Sequence, residues 1–257
     1  MKAEKLHCIC VIQARRTSSR LPDKILMPLG GVPVLRRVID RCQRIPGVDK
    51  VIVAIPEGDY NQPLADLAFE SGAEVIAGSE QDVLSRYVKA YQMFPADYVM
   101  RVTSDCPLLD PEICQDLLDG VKTRGASYGA TAWWPHGLDC EVMTANALEL
   151  ANECATGALD REHVTLWIKR QKHMLQYTHK ADKDYLPEQR WVLDYPEDLV
   201  FLEALCEKLP AYPEVPSWRE ILRVVGGDAM LSSINRERIA EWGAHTKKIY
   251  QDASLKD

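Results

Sequence analysis

The segment Leu6–Ile12 (LHCICVI) is a nearly unbroken apolar run of strand length, without the polar alternation of a half-exposed strand. Such a run reads as a strand buried on both faces of a parallel sheet. A sheet of that kind constrains the rest of the chain, because parallel strands need crossover connections that are usually helices lying on the sheet faces. The chain supplies them. Val34, Leu35, Val38, Ile39, Cys42 and Ile45 recur at helical spacing, and after a turn at Pro46–Gly47 the run Val51–Ile55 (VIVAI) is a second buried strand, completing a βαβ unit. The alternation continues with a helix over Pro63–Glu70 stopped by Gly72, a strand at Glu74–Ala77, a helix from Asp82 to about Met93 and a strand at Tyr98–Thr103. Asp110 and Pro111 then open another helix, a cap residue followed by proline at the first helical position.

Beyond Ser127 the elements shorten: a strand and loop through Gly129–Met143, helices near Ala147–Cys154 and Arg161–Arg170, and a final strand Trp191–Leu193 leading to Asp194. The expected organisation is one domain over residues 1–210, with a distinct part at about 127–190, followed by a charged helical tail over 211–257 that includes Ser233–Tyr250. A chain of 257 residues that is 46% hydrophobic and 27% charged suits one such α/β domain. No apolar run approaches the roughly 20 residues of a membrane helix, and Met1–His7 carries charge where a signal peptide is apolar. The expectation is a soluble cytoplasmic protein without a membrane partner. The cysteines, Cys8, Cys10, Cys42, Cys106, Cys114, Cys140, Cys154 and Cys206, show no Cys-x-x-Cys pair and are expected to be reduced, mostly buried thiols.

A net charge of −7 argues against a nucleic-acid partner, yet between Arg15 and Lys50 nine Lys or Arg residues face only Asp23, Asp40 and Asp49. A local basic region in an acidic protein points to a small polyanion. Its densest part is Gln13-Ala-Arg-Arg-Thr-Ser-Ser-Arg-Leu-Pro-Asp-Lys24, directly after the first strand, where open α/β sheets collect ligands. Guanidinium forks, hydroxyls and loop N–H groups bind phosphate oxygens in fixed geometry, and Lys24 adds a mobile point charge. Asp105 follows the strand Tyr98–Thr103, a position from which a carboxylate can hold a hard cation against phosphate or serve as a turn or cap residue. Asp110, before Pro111, reads as a helix cap rather than a ligand.

The string Ile12 to Lys24 (IQARRTSSRLPDK) resembles the signature of the cytidylyltransferases related to spore-coat polysaccharide protein F, and more distantly that of the CMP-Kdo and CMP-sialate synthetases. Gly78–Tyr87 (GSEQDVLSRY), Arg101–Asp110 (RVTSDCPLLD), Pro135–Glu141 (PHGLDCE), Arg161–Thr165 (REHVT) and Arg190–Leu199 (RWVLDYPEDL) are similar to further motifs of that family, so the likeness covers roughly Ile9 to Leu199. It implies an α/β fold of the Rossmann-like nucleotide-diphospho-sugar transferase (GT-A-like) type, a three-layer sandwich with a mixed, mostly parallel sheet.

It further implies Arg15, Arg20 and Lys24 as catalytic cations on a triphosphate, with Ser18 assisting and with Gln13, Ala14, Ser79, Asp82, Arg86 and Arg101 around the nucleotide. Asp82 and Arg86, four residues apart, read equally as a helix cap and an exposed ion pair. Asp105 and Asp194 become ligands of Mg²⁺. His136, Asp139, Glu141, Arg161, Glu162 and His163 would line the acceptor pocket, although His163 reads equally as a structural hydrogen-bonder. Glu197 and Asp198, in the first turn of a helix, need only the helix dipole as explanation. Thr17 and Asp23 stand where relatives commonly carry glycine, and His136 where many carry aspartate.

The implied reaction is attack of an acceptor oxygen on the α-phosphorus of CTP, with a small acidic acceptor as second partner. Two other readings stand beside it. A glycosyltransferase of the same fold would show Asp-x-Asp where this chain has Ser104-Asp105-Cys106, and a nucleotide-binding regulator would have lost the charged set. The tail either caps the domain or pairs two chains as a homodimer.

Overall fold

The computed structural model describes residues 6–239 and 241. Its strands and helices are β1 (Leu6–Gln13), the hairpin strands β2 (Pro28–Leu29) and β3 (Val32–Pro33), α1 (Val34–Gln43), β4 (Lys50–Pro56), α2 (Gln62–Glu70), β5 (Glu74–Gly78), α3 (Val83–Met93), β6 (Ala96–Thr103) and α4 (Pro111–Arg124). The second half adds β7 (Tyr128–Ala132), β8 (Glu141–Thr144), α5 (Ala145–Cys154), α6 (Ala158–His163), α7 (Leu166–Arg170), β9 (Gln176–Lys180), α8 (Pro196–Cys206) and α9 (Trp218–Gly226).

The main sheet has seven strands in the order β5-β4-β1-β6-β8-β7-β9. β5, β4, β1 and β6 are mutually parallel, β8 runs against β6 and β7, and β9 is parallel to β7, so β8 alone is reversed. The central strands are buried on both faces, which is why their sequences do not alternate. Cys8, Cys10 and Ile12 of β1 join the core under α1, α2, α4, α8 and α9, whereas Ile9 and Val11 join the core under α3 and α5. A fully buried Ile or Val contributes about 1.5–3 kcal/mol through burial. The result is the expected three-layer α/β sandwich.

Several local expectations are met by recognisable chemistry. Asp110 caps α4 by accepting from the N–H groups of Glu112 and Ile113, Pro111 follows it, and Gly125 ends the helix in the left-handed region. Asp82 caps α3 by accepting from the Ser85 N–H. The cysteines within the described residues are free thiols, six of them buried, with Cys206 half-buried and Cys154 exposed.

Other expectations are corrected. Trp191–Leu193 is not a strand: Trp191 N donates to His136 O and Leu193 N to Asp105 O, so the segment bonds to two different loops and forms no ladder. The helix expected over Arg161–Arg170 is two helices, because Val164 takes a positive φ of 62° that cannot continue one. β9 and the β2–β3 hairpin are additions to the expected elements. The described part of the expected tail over 211–257 lies against the rest of the chain, as a capping role would have it, with Trp218, Ile221, Val225 and Leu231 in the same core as β1, and Trp218 N donating to Asp110 Oδ2. Most of the helix expected over Ser233–Tyr250 lies outside the described residues, as do the first five residues of Met1–His7.

Candidate active site

The carboxyl ends of β1 and β6 face one cleft of about 310 Å³, lined by Gln13, Ala14, Arg15, Ser18, Arg20 and Lys24 from the basic loop together with Arg86, Asp105, Glu162, His163 and Asp194. The parallel pairing of β1 with β6 sets this meeting: Gln13 is in register with Thr103, so the loop after one strand and Asp105 after the other emerge side by side. Asp194 arrives from the irregular segment before α8, which Leu193 N fixes to Asp105 O at 2.8 Å.

Charge is organised around Lys24, only 8% exposed. Its Nζ donates to Asp105 Oδ2 at 2.7 Å and to Asp194 Oδ1 at 2.9 Å, and Arg20 Nη2 pairs with Asp194 Oδ2 at 2.5 Å. Burial on its own would push the Asp105 carboxyl up, but the Lys24 ammonium reverses this and holds it down at about 2. Burial likewise opposes the charge on Lys24 and Arg20, and the carboxylates outweigh it, so both are raised. Arg15 is exposed and has no hydrogen bond or ion pair among the described residues.

The basic loop is braced by side chains at Thr17 and Asp23. Asp23 adopts a positive φ of 57°, a conformation easy for glycine and tolerable for aspartate, and its carboxylate takes Arg16 Nε at 2.6 Å. Arg16 also donates to the Tyr60 carbonyl, and the Thr17 hydroxyl to Glu80.

Of the remaining nucleotide candidates, Gln13 faces the cleft while its Oε1 accepts from Arg101 Nε and the Tyr87 hydroxyl. Ala14 N donates to Ala54 O, and the Ser18 hydroxyl accepts from Leu21 N. Arg86 is not an exposed ion pair. It is 2% exposed, donates through Nη1 to the Ala54 and Ala14 carbonyls, and has no carboxylate partner among the described residues, so it adds positive potential to the cleft wall. Ser79 and Asp82 stand off the cleft lining: the Ser79 hydroxyl accepts from Asp82 N, and the Asp82 carboxylate caps α3 and pairs with Arg161 at 2.8 Å. Arg161, also bonded to Asn152 and Ala155, ties α6 to α3 and α5.

The acceptor candidates divide. Glu162 and His163 line the cleft itself, the His163 pKa being lowered by burial. Asp139 and Glu141 line a second cavity of about 250 Å³ with Arg101, Thr131 and Lys169, and Thr103 borders both cavities. There Glu141 accepts from Arg101 Nη1 at 2.5 Å, Lys169 Nζ at 2.6 Å and the Tyr128 and Thr165 hydroxyls. Burial would raise the Glu141 carboxyl, and the two cations hold it well below the usual range instead. Arg101 therefore sits with the second cavity rather than in the cleft. His136 lines neither: its Nδ1 lies 3.0 Å from Arg190 Nη1, and burial lowers its pKa. Gly137, φ 110°, lets this loop lie on Trp191, whose backbone would meet a Cβ at 2.7 Å.

Two groups escape the sequence reading. Lys169 carries a local signal, since Thr165 and Lys169 share a helical face and both reach Glu141. Asp198 is more than a dipole-complementing acid. It is fully buried and accepts from Arg190 Nε and Nη2, Asp194 N, Tyr195 N and Asn235 Nδ2. It thereby fixes the backbone that presents Asp194. Glu197, by contrast, pairs with Arg238 near the surface.

Comparison with known proteins decides the family, because the cytidylyltransferase profile matches residues 9–214. The chain belongs to the cytidylyltransferase family. Spore coat polysaccharide biosynthesis protein SpsF of Bacillus subtilis is 29% identical over 212 residues, covering 80% of this chain and 88% of that protein. The 3-deoxy-manno-octulosonate cytidylyltransferase of Sodalis glossinidius is 31% identical over 201 residues, covering 68% and 74%. A cytidylyltransferase structure from Leptospira borgpetersenii superposes with a TM-score of 0.82 at 23% identity, covering 88% of this chain and 96% of that one, which shows a shared fold. This cytidylyltransferase carries its own basic loop and the Asp105 and Asp194 carboxylates at one end of the parallel strands of its sheet. Among its described residues no helix is long and apolar enough to cross a membrane.

Proposed function

We propose that this cytidylyltransferase transfers CMP from CTP to a small acidic sugar, in the cytoplasm, with pyrophosphate leaving against Arg15, Arg20 and Lys24. The observation that carries the reading is the convergence of that basic set and two carboxylates on one cleft bordered, through Thr103, by a second charged cavity. The residues also fit Mg²⁺. Asp105 and Asp194 direct hard oxygens at one point, the Lys24 ammonium, and a pair of carboxylates completed by phosphate oxygens and water is the donor set this ion prefers. Bound there, Mg²⁺ would neutralise charge on the phosphate oxygens.

The chain's own residues supply positioning and charge. Lys24 and Arg20 are held by carboxylates, and a triphosphate offers both a more highly charged partner across the same cleft. Arg15, without a carboxylate of its own, adds a donor fork to the leaving end. Arg86 raises the local positive potential from within the wall. The acceptor would lie towards Thr103 with its carboxylate near Arg101 and Lys169, which hold Glu141 between them. A relative named for 3-deoxy-manno-octulosonate, an acidic sugar, supports that chemistry. Catalysis is then orientation and electrostatic stabilisation, without a covalent enzyme intermediate.

The test is pyrophosphate release with each nucleoside triphosphate against a panel of acidic sugars, phosphonates and phosphorylated metabolites, across a Mg²⁺ titration. CTP with an acidic sugar should give the highest kcat/KM, and Asp105→Asn should shift the Mg²⁺ dependence to higher concentration. Preference for UTP or GTP, or an unchanged Mg²⁺ titration, would overturn the corresponding part.

A further inference from the structure

A third cavity, of about 230 Å³, lies apart from the cleft and shares no lining residue with it or with the acceptor cavity. Its walls are the β2–β3 turn at Gly30, Arg37 and Arg41 of α1, Leu108, Cys206 of α8 and the loop at Tyr212. Two guanidinium groups thus line one small space, and neither Arg37 nor Arg41 has a carboxylate within ion-pairing distance among the described residues.

Arg41 is the unusual one. It is 4% exposed, and only Nη1 is engaged, with the Leu109 carbonyl at 2.9 Å and the Pro216 carbonyl at 3.5 Å. Its Nε and Nη2 make no hydrogen bond within the described chain. Burial, together with Arg37 and Arg44, pulls its pKa down to about 10, and the attraction of Asp110 does not restore it. The Asp110 oxygens are already engaged with the N–H groups of Glu112, Ile113 and Trp218. Arg37 donates to the Leu29 carbonyl through Nε and to the Gly30 carbonyl through Nη2 at 3.5 Å, and lies over the Tyr212 ring, again with no anion. Gly30, φ 55°, keeps the space open, since a Cβ there would stand 2.8 Å from Arg37 Nη2. The nearest acid on α1, Asp40, accepts the Tyr212 hydroxyl at 2.5 Å.

A buried cation with no carboxylate in contact is costly, and guanidinium groups whose N–H donors are not all engaged match the oxygens of a tetrahedral oxyanion in bidentate fashion. We infer that this cavity is a second anion site, taking a small phosphate-bearing ligand between Arg37 and Arg41. It is independent of the reaction proposed above, because no residue is common to both.

The site is tested by calorimetric titration of the full chain with inorganic phosphate, pyrophosphate, glycerol phosphate and acetate, at saturating CTP without divalent cation so that the cleft is filled. Phosphate should still bind at one site per chain, and Arg37→Gln and Arg41→Gln should each weaken it at least tenfold. Arg37→Gln, at a partly exposed position, guards against a folding defect in Arg41→Gln, and its CTP affinity should equal that of the parent chain. Tighter binding of glycerol phosphate than of phosphate identifies a phosphorylated metabolite as the source, and the reverse order identifies the free ion or pyrophosphate; either supports the site. Abolition of phosphate binding by CTP, indifference to both substitutions, or acetate binding as tight as phosphate would overturn the inference.

Discussion

Asp198→Asn is the substitution for which the structure gives the most definite magnitude. The parent carboxylate is fully buried, and it accepts Arg190 Nε and Nη2 at 2.8 Å each, Asp194 N and Tyr195 N at 3.0 Å each and Asn235 Nδ2 at 3.1 Å. The amide turns one accepting oxygen into a donor that faces other donors, and it leaves the Arg190 cation, 3% exposed, without its counter-charge. Breaking one side of a buried pair costs about 3–5 kcal/mol. That is a large share of the roughly 5–15 kcal/mol by which a domain is stable. At about 2–4 °C per kcal/mol for a chain of this size class, Tm should fall by about 6–20 °C.

Thermal unfolding followed by circular dichroism reads this directly. Replacing both partners by apolar residues, Arg190→Met with Asp198→Leu, should recover part of the loss, because no charge is then stranded. In the fraction of Asp198→Asn that stays folded, turnover should drop and the Mg²⁺ requirement rise, since Asp194 loses the acceptor that fixes its N–H. A single variant that melts within about 2 °C of the parent would refute the reasoning, because a fully buried ion pair with this many bonds cannot be broken at so small a cost.

Two further outcomes concern the cleft. Arg20→Ala, which removes a cation 2.5 Å from Asp194, should cut turnover by at least about a hundredfold with the fold intact, and near-normal pyrophosphate release would remove Arg20 from the leaving end. Asp105, depressed in the folded chain to about 2 from an ordinary 3.8, contributes stability that is complete above about pH 4 and is lost as pH falls towards 2. A carboxyl NMR titration of Asp105 should therefore show a midpoint near 2 that rises in Lys24→Met, and a midpoint at or above the ordinary value in the parent chain would contradict the pairing with Lys24.

Legibility in the sequence depends on how locally each feature is encoded. β1 and β4 announce themselves because burial on both faces forces contiguous apolar runs, β6 does so less cleanly with Asp97 and Arg101 in its run, and β9 (QYTHK) has no buried residue and gives no apolar signal. The basic loop and Asp105 are legible for a related reason: each immediately follows a strand, and parallel pairing of β1 with β6 delivers them to one cleft without further information. Lys24 shows the limit of such reading. Its charge is evident, but its seat between Asp105 and Asp194 depends on a carboxylate from a segment far along the chain that is neither strand nor helix. Asp198 shows it more sharply, since Glu197 and Asp198 are adjacent acids in the same first turn of α8, and only the approach of Arg190 and Asn235 buries one while the other pairs with Arg238 near the surface. The second cavity belongs to the same class. Arg101, Thr131, Glu141 and Lys169 come from β6, β7, β8 and α7, and no single stretch carries their meeting. Under the proposed function, substitutions in this cavity would change the acceptor while leaving the nucleotide motifs of the chain untouched.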